Sequence, residues 1–123
     1  MFEPKIYSGL RVLVTGHSGF KGSWLVAWLL RCGADVCGYS DRIPTQPSHW
    51  DILNLDARSE WGDLHDMDSI ESVVSQFKPE IIFHLAAQSL VRPSYRDPVE
   101  TWSTNVLGTL HLFEAARKAG SVR

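Results

Sequence analysis

The 123-residue sequence is short of cysteine and has no excess of charge of either sign. Its two cysteines, Cys32 and Cys37, lack C-x-x-C spacing. One falls near an expected helix end and the other in an expected strand, so they read as reduced core thiols rather than a disulfide. Twelve Lys and Arg against fourteen Asp and Glu leave a net charge of −2, which gives no electrostatic basis for binding nucleic acid or an anionic membrane. No apolar run has the length of a membrane span; the longest, Trp24 to Leu30, is the length of a helix core. The first residues, Met1-Phe2-Glu3-Pro4-Lys5, carry neither the basic nor the apolar part of a signal peptide, and the expectation is a cytoplasmic chain. The five histidines, His17, His49, His65, His84 and His111, have no metal-ligand spacing, so no metal site is expected. Repeats, low-complexity tracts and linkers are also missing, and the length suits one domain rather than two.

What is present centres on Thr15-Gly16-His17-Ser18-Gly19-Phe20-Lys21-Gly22. An apolar run, Val12-Leu13-Val14, precedes it, and an apolar-periodic segment, Trp24 to Leu30, follows. The context is strand, tight glycine turn, helix. Such a turn aims free backbone N–H groups, at the positive end of a helix dipole, toward a phosphate. The glycines divide the work: one makes the turn, one admits the pyrophosphate, one lets helix pack on strand. The spacing is G-x-x-G-x-x-G; histidine stands at 17, where the usual dinucleotide fingerprint has glycine.

Along the chain, a polar lead-in (1–9) gives way to a buried strand at 11–15. A first helix is expected over 20–32, stopped by Gly33 in a left-handed cap. A short strand at 34–39 leads to a proline-containing loop at 40–48. Residues 49–57 are ambiguous; Trp50, Ile52, Leu53 and Leu55 allow a short surface helix. A third strand is expected at 59–61. A second clear helix begins at Asp66, with Ile70, Val73, Val74 and Phe77 on one face, and ends at Lys78-Pro79. The apolar run 81–85 predicts a strand, and 88–96 a polar loop. The last helix starts with Asp97 as cap, Pro98 in the first turn and Glu100 completing a capping box, and stops at Gly120. Its stripe of Val99, Trp102, Val106, Leu110 and Phe113 reads most simply as core. Residues 121–123 resemble the first step of another strand.

Strands alternating with helices predict an α/β fold: a partial doubly wound, three-layer arrangement with about four parallel strands and helices on both faces. A ligand in such a fold lies across the carboxyl ends of the strands. Those ends are Thr15-Gly16, Tyr39-Ser40, Gly62-Asp63 and Leu85-Ala86-Ala87.

These stretches, with His84-Leu85-Ala86-Ala87-Gln88 and Thr104-Asn105-Val106-Leu107-Gly108-Thr109, resemble the extended short-chain dehydrogenase/reductases. The resemblance implies a Rossmann domain, a nicotinamide cofactor and nucleotide-sugar substrates. Gly16 to Leu25, Pro44-Thr45-Gln46-Pro47-Ser48, Ala87 to Arg92 with Ser94-Tyr95, and Pro98 to Asn105 resemble, more narrowly, the branch that dehydrates CDP-glucose. Enzymes of that branch use NAD as a returning hydride carrier: the sugar is oxidised at C4, water leaves across C5–C6, and hydride returns to C6. The resemblance places Gly16, Ser18, Gly19 and Gly22 at the turn, with Phe20 and Lys21 beside the pyrophosphate. It puts Asp63 and Leu64 beside the adenine, Leu85, Ala86, Ala87 and Gln88 under the nicotinamide ribose, and Thr104 toward phosphate or ribose. It also implies a homo-oligomer, with a partly exposed stripe on the last helix at a two-fold interface as the second reading of those apolar residues.

Two departures qualify it. Where NAD-binding members carry an acid at the end of the second strand, this chain has Ser40, followed by Asp41 and Arg42. Asp41 would serve a ribose from one residue along, whereas Arg42 would meet a 2′-phosphate and favour NADP; NAD is preferred because the hydride must be retained. And the family's catalytic Tyr-x-x-x-Lys is missing: Tyr7, Tyr39 and Tyr95 are followed four residues on by Arg11, Ile43 and Val99. The expectation is the N-terminal part of an enzyme, without its substrate lobe, inactive alone and prone to associate through an open sheet edge. Related epimerases or reductases, and a non-catalytic nucleotide-binding module, are the competing readings. Arg92 and Arg96 stand open between a sugar-nucleotide contact and solvated loop charge. His84 is read as packing or positioning rather than acid–base.

Overall fold

The computed structural model describes residues 5–123. The first four residues of the lead-in lie outside the described part. Lys5–Tyr7 form a 3-10 turn, and Tyr7 packs edge-on to Trp28 at 5.5 Å between ring centroids. Four strands follow: β1 (Arg11–Thr15), β2 (Asp35–Ser40), β3 (Arg58–Trp61) and β4 (Ile81–His84). They form one parallel sheet in the order β3-β2-β1-β4. The register pairs Val14 with Gly38 and with Phe83, so the carboxyl ends of the strands lie along one rim of the sheet.

Helix α1 (Phe20–Arg31) and the short α2 (His49–Leu53) contribute to one face. Val26 and Leu29 pack there on Val12, Val14 and Val36. Helix α3 (Met67–Phe77) covers the other face, where Ile70, Val73, Val74 and Phe77 meet Leu13, Cys37 and Tyr39. Alternate residues of β1 and β2 thus feed the two cores, as the two-residue period of a strand requires. Asp66 caps α3 by accepting the Ser69 N–H at 3.1 Å. Lys78 ends it in the left-handed region (φ 52°), forced out of helix by Pro79. Cys32 and Cys37 are free and buried.

The segment read as a loop at 88–96 contains a helix, α4 (Val91–Arg96). Pro93 is tolerated there because the first turn needs no donor from it. The Gln88 side chain folds back to take the Leu90 N–H at 2.9 Å and to donate to Thr101 Oγ1 at 3.1 Å. Next come α5 (Pro98–Trp102), a π-helical turn (Ser103–Leu107) and α6 (Gly108–Ala119), where the sequence pattern predicts one continuous helix. The capping box is half made: Asp97 accepts the Glu100 N–H, while the Glu100 carboxylate accepts from Thr104 instead of reaching back.

The apolar stripe of this last helix is not core. Trp102, Leu110 and Phe113 are 68%, 56% and 64% exposed. The buried face is Gly108, Leu112 and Ala115, which lie against Leu64 and α3. Small residues make that contact because the helix approaches closely: a Cβ on Gly108 would stand 2.9 Å from the Leu64 Cβ. Beyond Gly120, Arg123 donates its N–H to the Glu80 carbonyl at 3.0 Å, a first rung beside β4. Among the described residues no helix is long and apolar enough to cross a membrane.

Candidate functional site

The glycine turn sits where β1 leaves the rim of the sheet. Gly16 turns the chain with φ at +73°, and a Cβ there would lie 2.8 Å from Leu85 C and Ala86 N. A Cβ on Gly22 would overlap the Gly16 carbonyl oxygen, so helix and turn touch backbone to backbone. Helices α2, α3 and α5 are capped by Ser48, Asp66 and Asp97, each accepting a backbone N–H. Helix α1 starts from Gly19, which has no side chain to do this. The first-turn donors of α1 are thus left to whatever binds at the rim. Phe20 and Lys21 stand exposed beside them.

His17 holds the turn from beneath. Its ring is fully buried, lying over Gly38 of β2 and edge-on to Trp50 at 4.7 Å. Nδ1 pairs with Ser40 Oγ at 2.9 Å and Nε2 with Ser59 Oγ at 3.1 Å. One ring thereby ties the turn to β2 and β3. Burial, partly offset by the Tyr39 carbonyl, lowers its pKa to about 4. The sequence reading missed this role. The available signal was Gly38, an isolated glycine inside a strand, which marks close approach by another group.

The remaining predicted residues fall along the same rim, with different freedom. Ser40 is committed: its Oγ meets His17 and accepts the Ser18 N–H at 3.3 Å. Ser18 donates its hydroxyl proton to the Arg42 carbonyl at 2.6 Å, fixing the loop after β2. Asp41 and Arg42 are exposed and paired with each other at 3.5 Å. Asp63 is exposed, and one carboxylate oxygen takes both the His65 N–H at 2.9 Å and His65 Nδ1 at 2.6 Å. Its pKa lies below the usual carboxylate value, burial being outweighed by those hydrogen bonds and the positive partners His65 and Arg42. Leu64, by contrast, turns its side chain into the core, and its carbonyl accepts from His111 at 2.7 Å.

The stretch 85–88 is held at both ends. Thr15 Oγ1 accepts the N–H of Leu85 and of Ala86 at 3.1 and 3.2 Å. Asn105 clasps Gln88, accepting its N–H at 2.8 Å and donating to its carbonyl at 3.0 Å. Thr104 donates to Glu100 Oε1 at 3.1 Å and lies 3.3 Å from His65 Nε2. Arg92 lies on α4, away from the turn in sequence and exposed, as is Arg96 at the end of that helix. Among the described residues no cluster of His, Cys, Asp or Glu could hold a metal ion.

An uncapped helix start and an exposed lysine beside a glycine turn at the rim of the sheet can hold a phosphate group. The family described as GDP-mannose 4,6 dehydratase matches residues 13–123. CDP-glucose 4,6-dehydratase of Salmonella typhimurium is 48% identical across the whole chain, which spans 35% of that relative's length. Two solved structures are also similar. UDP-glucose 4-epimerase from Thermotoga maritima, solved with UDP-glucose, is 34% identical with a TM-score of 0.82, covering 90% of this chain and 35% of its own. UDP-glucose 4-epimerase of Thermus thermophilus, solved in complex with NAD, is 35% identical with a TM-score of 0.82, covering 91% and 35%. The chain therefore spans about a third of the relatives it matches.

Proposed function

The chain belongs to the GDP-mannose 4,6-dehydratase family, and from that premise we propose that it is the NAD-binding portion of a nucleotide-sugar 4,6-dehydratase acting on CDP-glucose. Its place would be the N-terminal part of the dinucleotide-binding domain: its 123 residues contain no Tyr-x-x-x-Lys and span 35% of the Salmonella typhimurium relative's length. The uncapped start of α1, packed on Gly16 at the rim, is the observation that carries the reading. The Salmonella typhimurium dehydratase, at 48% identity, supports the choice of substrate. When bound, NAD supplies a hydride acceptor that is regenerated within one catalytic cycle.

This chain's own residues bind and orient. First-turn N–H groups at Phe20 and Lys21, with the Lys21 ammonium, face the pyrophosphate. Asp63 keeps its second carboxylate oxygen open for the adenine amino group. Asp41 accepts from the adenosine ribose. Ala86 and Ala87 leave room for the nicotinamide ribose. The setting is cytoplasmic, and the substrate a nucleotide sugar.

Calorimetric titration of the chain with NAD tests the cofactor assignment, and absence of binding in a well-folded sample would end it. A protein joining this chain to a catalytic Tyr-x-x-x-Lys segment and a substrate lobe should convert CDP-glucose to its 4-keto-6-deoxy product with no net reduction of NAD. Turnover of another nucleotide sugar in its place would overturn the substrate choice. Asp41→Ala should weaken NAD about tenfold, the loss of one charge-assisted hydrogen bond, and narrow any preference over NADP. Equal affinity in the variant would remove Asp41 from the site.

The exposed stripe of α5 and α6 is the proposed self-association surface. Trp102 and Leu107 line an open groove of about 410 Å³ with Pro98, Val99 and Ser103. An apolar patch of this kind on one helix suits a two-fold pairing with a second copy. Trp102→Glu with Phe113→Glu should shift the chain to monomer in sedimentation analysis, without changing its fold. An unchanged oligomer would place the interface elsewhere.

A further inference from the structure

The hydrogen bonds around His84 have one consistent arrangement of protons. Thr15 is fully buried, and its Oγ1 already accepts from Leu85 and Ala86 N–H. Among the described residues its own proton has one acceptor within reach, His84 Nδ1 at 2.6 Å. Nδ1 must therefore be unprotonated. On the far side, Thr109 donates its hydroxyl proton to the Asn105 carbonyl at 2.6 Å. Thr109 Oγ1 is thus free to accept, and His84 Nε2, at 2.9 Å, is the donor. The line runs Thr15 to His84 to Thr109 to the Asn105 carbonyl, each proton pointing the same way. It crosses from the end of β1, through the end of β4, into the π-helical turn.

A second proton on Nδ1 has no place in this line. It would face an oxygen that already accepts two N–H groups, and the Thr15 proton would lose its only acceptor. A buried polar group left without its partner carries its full desolvation cost. The groups facing His84 are Thr15 from β1 and Thr109 from α6; neither is charged, and among the described residues no carboxylate pairs with the ring. Burial alone lowers the His84 pKa. π-Helical turns occur often at functional sites, where an extra residue re-aims side chains. Here the turn carries Asn105, whose side chain clasps Gln88.

We propose that His84 is a positioning residue of the cofactor site: as the neutral Nε2–H tautomer it locks the β1 and β4 ends to the π-helical turn. The stretch 85–88, where the nicotinamide ribose would lie, is thereby held in place. This rests on the reading that the rim binds NAD. It gives His84 no contact with the cofactor and no proton to transfer.

Nitrogen-15 NMR of the histidine rings reads the tautomer without any cofactor. The expected result is a protonated Nε2 and a bare Nδ1 at neutral pH; the opposite tautomer overturns the proposal. His84→Gln retains one acceptor and one donor and should bind NAD within about threefold of wild type. His84→Phe keeps the volume but neither polar group, and should bind about tenfold more weakly, with circular dichroism confirming its fold. Wild-type affinity should fall as pH drops below the ordinary histidine range, and more steeply than that of His84→Gln, whose remaining acid loss comes from His17 beneath the turn. Equal affinity in His84→Phe, or an acid loss in His84→Gln as steep as in wild type, overturns the positioning role. A wild-type chain that shows the expected tautomer but does not bind NAD overturns the cofactor reading instead, and the positioning role with it.

Discussion

Acidifying the chain from pH 6.5 to about 4 is expected to remove about 3 kcal/mol of its stability through His17 alone. The sign follows from where the proton binds. Unfolded, the ring takes a proton near the ordinary 6.5; folded, it resists until about 4. Between those values the unfolded state binds more protons, so stability falls as pH falls. The slope approaches about 1.4 kcal/mol per pH unit in mid-window and flattens below the folded value. A domain of this size has only about 5–15 kcal/mol in total, so the loss is a large share. Burial is the cause: the ring sits over Gly38 between Ser40 and Ser59, and among the described residues no carboxylate pairs with it.

His17→Gln isolates the effect. The amide can still hydrogen-bond both serines but does not titrate. It should be less stable at pH 7, since it fills less of the slot, and should show a shallower acid slope in urea unfolding. Carboxylates and His84 contribute equally to both proteins and cancel in the comparison. Parallel pH profiles would show that the buried ring does not govern acid sensitivity. The turn shares this fate, because Ser40, which His17 holds, accepts the Ser18 N–H of the turn itself.

How much of this was legible depends on which partner a residue needs. The sheet was readable because its strands are apolar runs bounded by turn residues, and β1 and β4 come within a residue of expectation. Asp66 and Asp97 were readable as caps because a cap is local. His17 was not, since its partners Gly38, Ser40 and Ser59 arrive from other strands. The stripe from Val99 to Phe113 was misread for a related reason. Apolar spacing shows that residues share a face but not what covers it, and here the covered face is made of small residues, Gly108 and Ala115. The helix α4 and the π-helical turn depend on the tertiary clasps of Gln88 and Asn105, which no local propensity encodes. Among the proposed cofactor contacts, Asp63 and Lys21 are exposed, while Ser40 and Leu64 are occupied inside the fold.

Gly22 and Gly19 of the turn should separate by experiment into packing and binding. Gly22→Ala should lower stability by about 3 kcal/mol, the upper part of the usual cost of overpacking. Its methyl would collide with the Gly16 carbonyl and approach His17 Cα to 2.8 Å, and neither is a side chain that can swing away. Helix α1 must then lift from β1, and its first-turn donors move with it, so NAD affinity should drop more than about a hundredfold. Gly19→Ala is a different case. Gly19 has φ −73° and ψ 169°, a conformation open to alanine, and a Cβ there meets only the Gly16 oxygen, at 3.3 Å. Stability should change by less than about 1 kcal/mol, within the range of tolerated substitutions. Its methyl would nonetheless stand at the mouth of α1, where a pyrophosphate must approach backbone closely, and NAD affinity should fall about tenfold or more. Thermal melts and calorimetry on the two variants give four numbers. A destabilised Gly22→Ala beside a stable, weakly binding Gly19→Ala supports a phosphate seated on the first turn. A Gly19→Ala variant with wild-type affinity would mean that the diphosphate does not sit there, however well the turn is built.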